Sequence, residues 1–201
     1  MGREKFYIIA PSHWIGNCAR NSILFQNKKI NVISNCIDHE RYKPVDKFLA
    51  RDLFRLPQDK KLILFGASKE RDEDNLDIKE HYLGKLMDDI SLNLLYSAVD
   101  VFVAPSLQDN LPNTIVESLA TGTPCVAFNI GGMSDLISSE LFGSLVDKVD
   151  LVSLAGSIVK SLQTKHKQNV IAKNSFMIRN ENCIAQEYDE VYKFYINQNN
   201  E

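Results

Sequence analysis

Short unbroken apolar runs alternate along this chain with longer stretches whose apolar positions recur at helical spacing. Residues 6–10 are one such run, and 30–34, though interrupted by Asn31, also look like a short strand. The run from Lys61 to Phe65, closed by Gly66, predicts a buried strand. Residues 101–105 and 124–128 read the same way, and a further strand is expected near 78–83. Helices fill the intervals. Ser12 can cap one that runs to about Leu24, and helix formers occupy 46–54, stopping before Pro57. Others are expected over 89–97, from Pro112 to near Gly122, over 150–163 and over 181–196. Strands without polar alternation, separated by helices, imply an α/β fold with a parallel sheet covered on both faces.

Composition narrows the chemistry. Of 201 residues, 44% are hydrophobic and 24% charged, the ordinary mix of a soluble globular domain. The formal net charge is -3 and no long basic run occurs, which argues against a nucleic-acid partner. No apolar stretch approaches the ~20 residues needed to span a bilayer. The run at 6–10 is too short for the core of a signal peptide. Cys18, Cys36, Cys125 and Cys183 lie far apart with no C-x-x-C spacing, as expected of free thiols in a reducing cytosol. His13, His39, His81 and His166 are equally scattered, so neither a metal centre nor a bound cofactor is expected.

Ligands of open parallel sheets bind beyond the carboxyl ends of the strands. Three loops qualify here: 66–75, 105–113 and 129–134. The first is dominated by charge and reads as a solvated loop. The second leads from Pro105 straight into a helix start at Pro112. The opening amides of a helix lack internal partners and its dipole favours an anion, so a diphosphate can sit on the amides near Leu111 to Thr114. Glu117 lies about a turn further on, on the side of Asn113 and Thr114. A carboxylate there can accept hydrogen bonds from ribose hydroxyls, though not hold the phosphates, which it repels. The same residues also suit a plain helix cap with a carboxylate favouring the dipole.

The stretch from Pro105 to Phe128 resembles the signature of the family-four retaining glycosyltransferases, two acidic residues separated by seven others and then an Ala-x-Gly-x-Pro-Val turn into a strand. Asp109 stands at the first acidic position, where Glu is usual, and Glu117 at the second. Leu94 to Val103 is similar to the preceding helix and strand, and Asn129 to Asp135 to the glycine pair and acidic residue that follow. Val32 to Asp38 resembles the family's Val-Ile-Pro-Asn-Gly-Val-Asp turn, with Ser34 and Cys36 replacing Pro and Gly. Pro11 to Trp14 resembles the entry to the hinge between the two halves of such enzymes.

The resemblance implies a Rossmann-like parallel sheet of about five strands with helices on both faces, one half of a GT-B fold. It implies one domain over 1–201, with a hinge-side segment at 1–60, the core sheet at 61–163 and a C-terminal helix at 181–196. Glu117 would bind the nucleotide ribose, Asn110, Leu111, Asn113 and Thr114 would face the diphosphate and sugar, and Asp109 would contact the donor sugar as the catalytic carboxylate. The implied reaction moves a hexose from a UDP- or GDP-linked donor to a glycan acceptor. It retains configuration, needs no metal, and serves bacterial-type polysaccharide synthesis in the cytoplasm.

Two departures accompany the match. Only about ten residues precede Pro11-Ser12, so the acceptor half is expected to lie outside this chain, along with any peripheral membrane association. The family's Arg and Lys-Gly after the first strand have no counterpart, as though one strand-helix unit were lost between two Phe-Gly-Ala segments; Lys69 and Arg71 are the nearest substitutes. Loss of that unit predicts an apolar patch and self-association. The alternative expectation is a catalytically inactive remnant or nucleotide-binding module. A receiver-type phosphate-binding regulator ranks below both, since the proline at the helix start and Gly131-Gly132 do not suit it.

Overall fold

A computed structural model describes residues 7–66, 79–147 and 149–199. Six short strands and eight helices follow one another among them. The strands are β1 (Ile8–Ala10), β2 (Ile30–Val32), β3 (Ile63–Phe65), β4 (Val101–Ala104), β5 (Cys125–Phe128) and β6 (Gly143–Val146). The helices are α1 (His13–Arg20), α2 (Lys47–Leu53), α3 (Asp89–Ala98), α4 (Asn113–Ala120), α5 (Met133–Leu136), α6 (Leu151–Gln163), α7 (Gln168–Arg179) and α8 (Glu181–Asn199). All strand pairs are parallel, as the α/β expectation requires. Instead of forming one sheet of about five, they divide into a pair, β1-β2, and a four-stranded sheet in the order β3-β4-β5-β6.

Alternation along β4 and β5 splits the core in two. Val101, Val103, Val126 and Phe128 pack with Leu154 of α6 on one face. Phe102, Ala104, Cys125 and Ala127 point the other way, into a larger cluster with Ile115 and Leu119 of α4 and Met133 of α5. Ile37 and Tyr42 join that second cluster, which fastens the segment after β2 to the four-stranded sheet. In register, Ile63 and Phe65 stand beside Val101 and Val103. They therefore continue the α6 face, yet remain 44% and 50% exposed. The buried strand expected at 61–66 is in fact a half-exposed edge, because α6 covers β4, β5 and β6 and stops there.

Side-chain caps open α1, α2, α3 and α6. Ser12, Asp46, Asp88 and Asp150 each accept a hydrogen bond from an amide of the first turn. α1 stops at Arg20, short of Leu24, because the Ser22 hydroxyl bonds the Ala19 carbonyl and the Phe25 amide and turns the chain. α4 closes with a Schellman turn: the Gly122 amide reaches Leu119 O and the Thr123 amide reaches Ser118 O. Gly122 has φ +83, and a Cβ there would come within 2.4 Å of the Gln168 carbonyl oxygen at the start of α7. Residues 79–83, expected to continue a strand, form no regular element; Lys79 to Tyr82 are exposed and polar apart from the last. Lys69, Arg71 and the rest of the charged loop fall outside the described residues.

Candidate donor-binding site

Three segments meet at the carboxyl end of the four-stranded sheet: the start of α1, the loop from β4 to α4, and the loop from β5 to α5. Ser12, fully buried, donates its hydroxyl to Asn110 Oδ1 at 2.6 Å while capping α1. The His13 amide donates to Asp135 Oδ2 at 2.6 Å. The Gly132 amide donates to the Asp109 carbonyl at 3.3 Å. Glycine is required at this crossing. A Cβ on Gly131 would lie 1.8 Å from Asp109 O, and one on Gly132 would lie 1.7 Å from Asn110 O. Gly131 also takes a positive φ of +54.

The predicted site residues divide by surroundings. Leu111 is buried in the core beneath α4, so it can offer a ligand only its backbone. The Asn110 side-chain oxygen is engaged by Ser12. Asp109 is half-buried, and its carboxylate forms no hydrogen bond among the described residues. Asn113 and Thr114 are exposed on the opening turn of α4. Pro112 makes no side-chain cap there, and the first helical bonds are those from Ile115 and Val116 back to Pro112 O, which leaves the amides of Asn113 and Thr114 ahead of the ladder. Asn35 reaches Asn113 Oδ1 across a long 3.5 Å contact, bringing the turn after β2 to the same helix start.

Glu117 is half-buried and accepts a 3.0 Å hydrogen bond from the Tyr96 hydroxyl at Oε2. Burial raises its pKa, the Tyr96 donor lowers it, and the nearby Asp89 raises it again, for a net upward shift. Asp89 itself is held below the usual carboxylate range by the Arg41 guanidinium at 2.7 Å and the Tyr42 hydroxyl at 3.1 Å. Tyr42 is pushed upward, by burial first and by Glu117 second, so it stays a phenol. A polar wall of Tyr96, Glu117, Tyr42, Asp89 and Arg41 thus runs from the start of α4 along α3. Sequence reasoning located Glu117 but not this wall, whose members lie up to 76 residues apart with no local pattern to join them.

Asp100, which falls within the Leu94 to Val103 stretch, proves structural. Its partial burial raises its pKa, but the Leu62 amide, Lys47 and Arg51 overcome that and lower it. Arg51 is spent entirely on this corner, through Asp100 and the carbonyls of Ala98, Pro57, Gln58 and Lys60. The pair anchors the entry to β3.

Comparison with known proteins agrees with this architecture. The family model described as glycosyl transferases group 1 matches residues 29–164. The UDP-Gal:alpha-D-GlcNAc-diphosphoundecaprenol alpha-1,3-galactosyltransferase of Escherichia coli is 28% identical over 210 aligned positions, covering 84% of this chain and 54% of that enzyme. Among solved structures, sucrose-phosphate synthase from Thermosynechococcus elongatus superposes with a TM-score of 0.77 at 20% identity, over 94% of this chain and 58% of that one. HepE from Anabaena, solved in complex with UDP-glucose, superposes with a TM-score of 0.64 at 18% identity, over 93% and 63%. The chain spans little more than half the length of these relatives. Among the described residues, no helix is long and apolar enough to cross a membrane.

Proposed function

Because the chain belongs to the glycosyl transferases group 1 family, we propose that it is the donor-binding half of a retaining hexosyltransferase of bacterial polysaccharide synthesis, acting in the cytoplasm as one domain. The observation behind this reading is the half-buried Glu117 carboxylate one turn beyond an uncapped helix start. The amides of Asn113 and Thr114 supply positive potential for a diphosphate, and the Leu111 backbone lines the approach. Glu117 accepts from the ribose hydroxyls. Asp109, free of protein hydrogen bonds among the described residues, contacts the hexose. In the transfer, the bond from the anomeric carbon to the diphosphate oxygen breaks and the acceptor oxygen bonds the same face. The diphosphate leaves with the electron pair, and the acceptor's proton passes to it. Preorganised donors aimed at the leaving oxygens, rather than a protein nucleophile, lower that barrier. The names of the E. coli relative and the HepE complex favour a UDP-linked sugar over a GDP-linked one.

Binding without turnover is the second reading for this chain alone, favoured by the absence from the sequence of a Lys-Gly pair after β3. The acceptor would then be presented by a further domain. Calorimetry with UDP, GDP and inorganic pyrophosphate tests the donor role. The parent chain should bind one nucleotide better than pyrophosphate, and Glu117→Ala should lose about ten-fold or more of that affinity. Equal binding by parent and variant sinks the ribose assignment. A turnover assay over a nucleotide-sugar panel separates enzyme from binding module. Self-association through the exposed face of β3 belongs to the same proposal, supported by Ile63 and Phe65.

A further inference from the structure

Tyr96 is the sole hydrogen-bond partner of the Glu117 carboxylate among the described residues. It is also fixed more firmly than a chance neighbour would be. Its side chain is 3% exposed, and its ring meets Phe102 edge-on at 5.6 Å. Its backbone carbonyl accepts the Thr123 hydroxyl at 2.7 Å. Thr123 lies in the Schellman turn that ends α4, the helix that carries Glu117. Tyr96 therefore grips α4 at two points, its carbonyl at the far end and its hydroxyl at the functional carboxylate. A glutamate has three rotatable side-chain bonds, and a half-buried one left without a donor has no reason to keep a single direction.

We propose that Tyr96 is the positioning residue for Glu117: its hydroxyl occupies one lone pair of Oε2 and turns the remaining carboxylate acceptors toward the ribose hydroxyls, so that it sets the discrimination between ribose and deoxygenated sugars. The inference rests on the donor-site reading above. The groups facing Glu117 are Tyr96 and Asp89 from α3, with Arg41 and Tyr42 from the segment before α2; Cys125 of β5 stands behind Tyr96. Tyr96 stays protonated, since burial and then Glu117 both push its pKa upward, so it can only donate to the carboxylate. Ribose discrimination needs the ionised carboxylate. It is present above the Glu117 pKa and is lost as pH falls through it. Removing the Tyr96 donor raises that pKa, so the loss must begin at higher pH.

The test is calorimetry on the parent chain, Tyr96→Phe and Glu117→Gln. The probes are the tighter-binding of UDP and GDP, its 2′,3′-dideoxy counterpart, and inorganic pyrophosphate. Tyr96→Phe should cut the ribose preference about ten-fold, leave pyrophosphate binding unchanged, and move the acid limb of the preference upward in pH. A variant that keeps the full preference and the parental pH profile overturns the positioning role, while loss of preference in Glu117→Gln leaves the ribose reading standing. A parent chain with no ribose preference refutes both. Should Tyr96→Phe fold poorly, 19F NMR of the 3-fluorotyrosine-labelled parent decides the matter. The Tyr96 resonance should titrate with Glu117 and cease to do so in Glu117→Gln; a resonance indifferent to Glu117 overturns the proposal.

Discussion

At the scale of single residues, Glu117 holds a charge where burial disfavours it. Its folded pKa lies above its unfolded one, so between the two the native state binds the extra proton. Its charge therefore opposes folding at neutral pH, and the opposition fades as pH drops through the folded value. Glu117→Gln should raise Tm near neutrality, with the gain shrinking as pH falls through the folded pKa toward the ordinary Glu value and below it. Differential scanning calorimetry across that range checks it; a Tm lowered at neutral pH would mean that the charge is better compensated than the Tyr96 bond alone allows. The position of this carboxylate was legible from spacing and motif, because helical geometry alone puts it beside Asn113 and Thr114. Its setting was not. Tyr96 comes from α3, which packs on α4, and Tyr42 from the segment after β2, which joins the same core cluster.

Elements were legible wherever a cap and a period coincided. Ser12, Asp46 and Asp150 each precede a run with helical spacing, and each helix begins there. α7 escaped notice because it follows α6 after only four residues and mixes six apolar residues with six polar ones; its place is set by Gly122, which lets its start press against the end of α4. β6 is four residues beginning with glycine, two of them partly exposed, so it presents no apolar run. One element-level contact deserves a direct measurement. Arg51 is 4% exposed and holds Asp100 together with four carbonyls, so its removal leaves several buried acceptors unpaired and Asp100 with only Lys47, Lys61 and the Leu62 amide. Arg51→Ala should lower unfolding free energy by about 3–5 kcal/mol in urea titrations. Asp100, whose folded pKa is depressed, stabilises the chain above its unfolded pKa, and that contribution is lost as pH falls through the folded one. Removing the arginine should therefore cost less in acid than at neutrality.

Across the whole molecule, the sheet ends on β3, whose Ile63 and Phe65 are covered by no helix among the described residues. The sequence showed Ile63, Leu64 and Phe65 as an apolar run but could not say that they form an edge, since a central and a peripheral strand share one composition. Sedimentation velocity over a concentration series should detect association of the parent chain, and Phe65→Lys should abolish it, as an inserted charge on an edge commonly does. A monomeric parent would show that Ile63 and Phe65 are tolerated in water. The other whole-molecule feature is the corner where Ser12, Asn110, Gly132 and Asp109 knit three distant loops together. A mould of this kind is cast before any guest arrives. A nucleotide docking there would surrender its own freedom while the host gave up little, so its affinity would follow from how completely its polar atoms trade water for backbone.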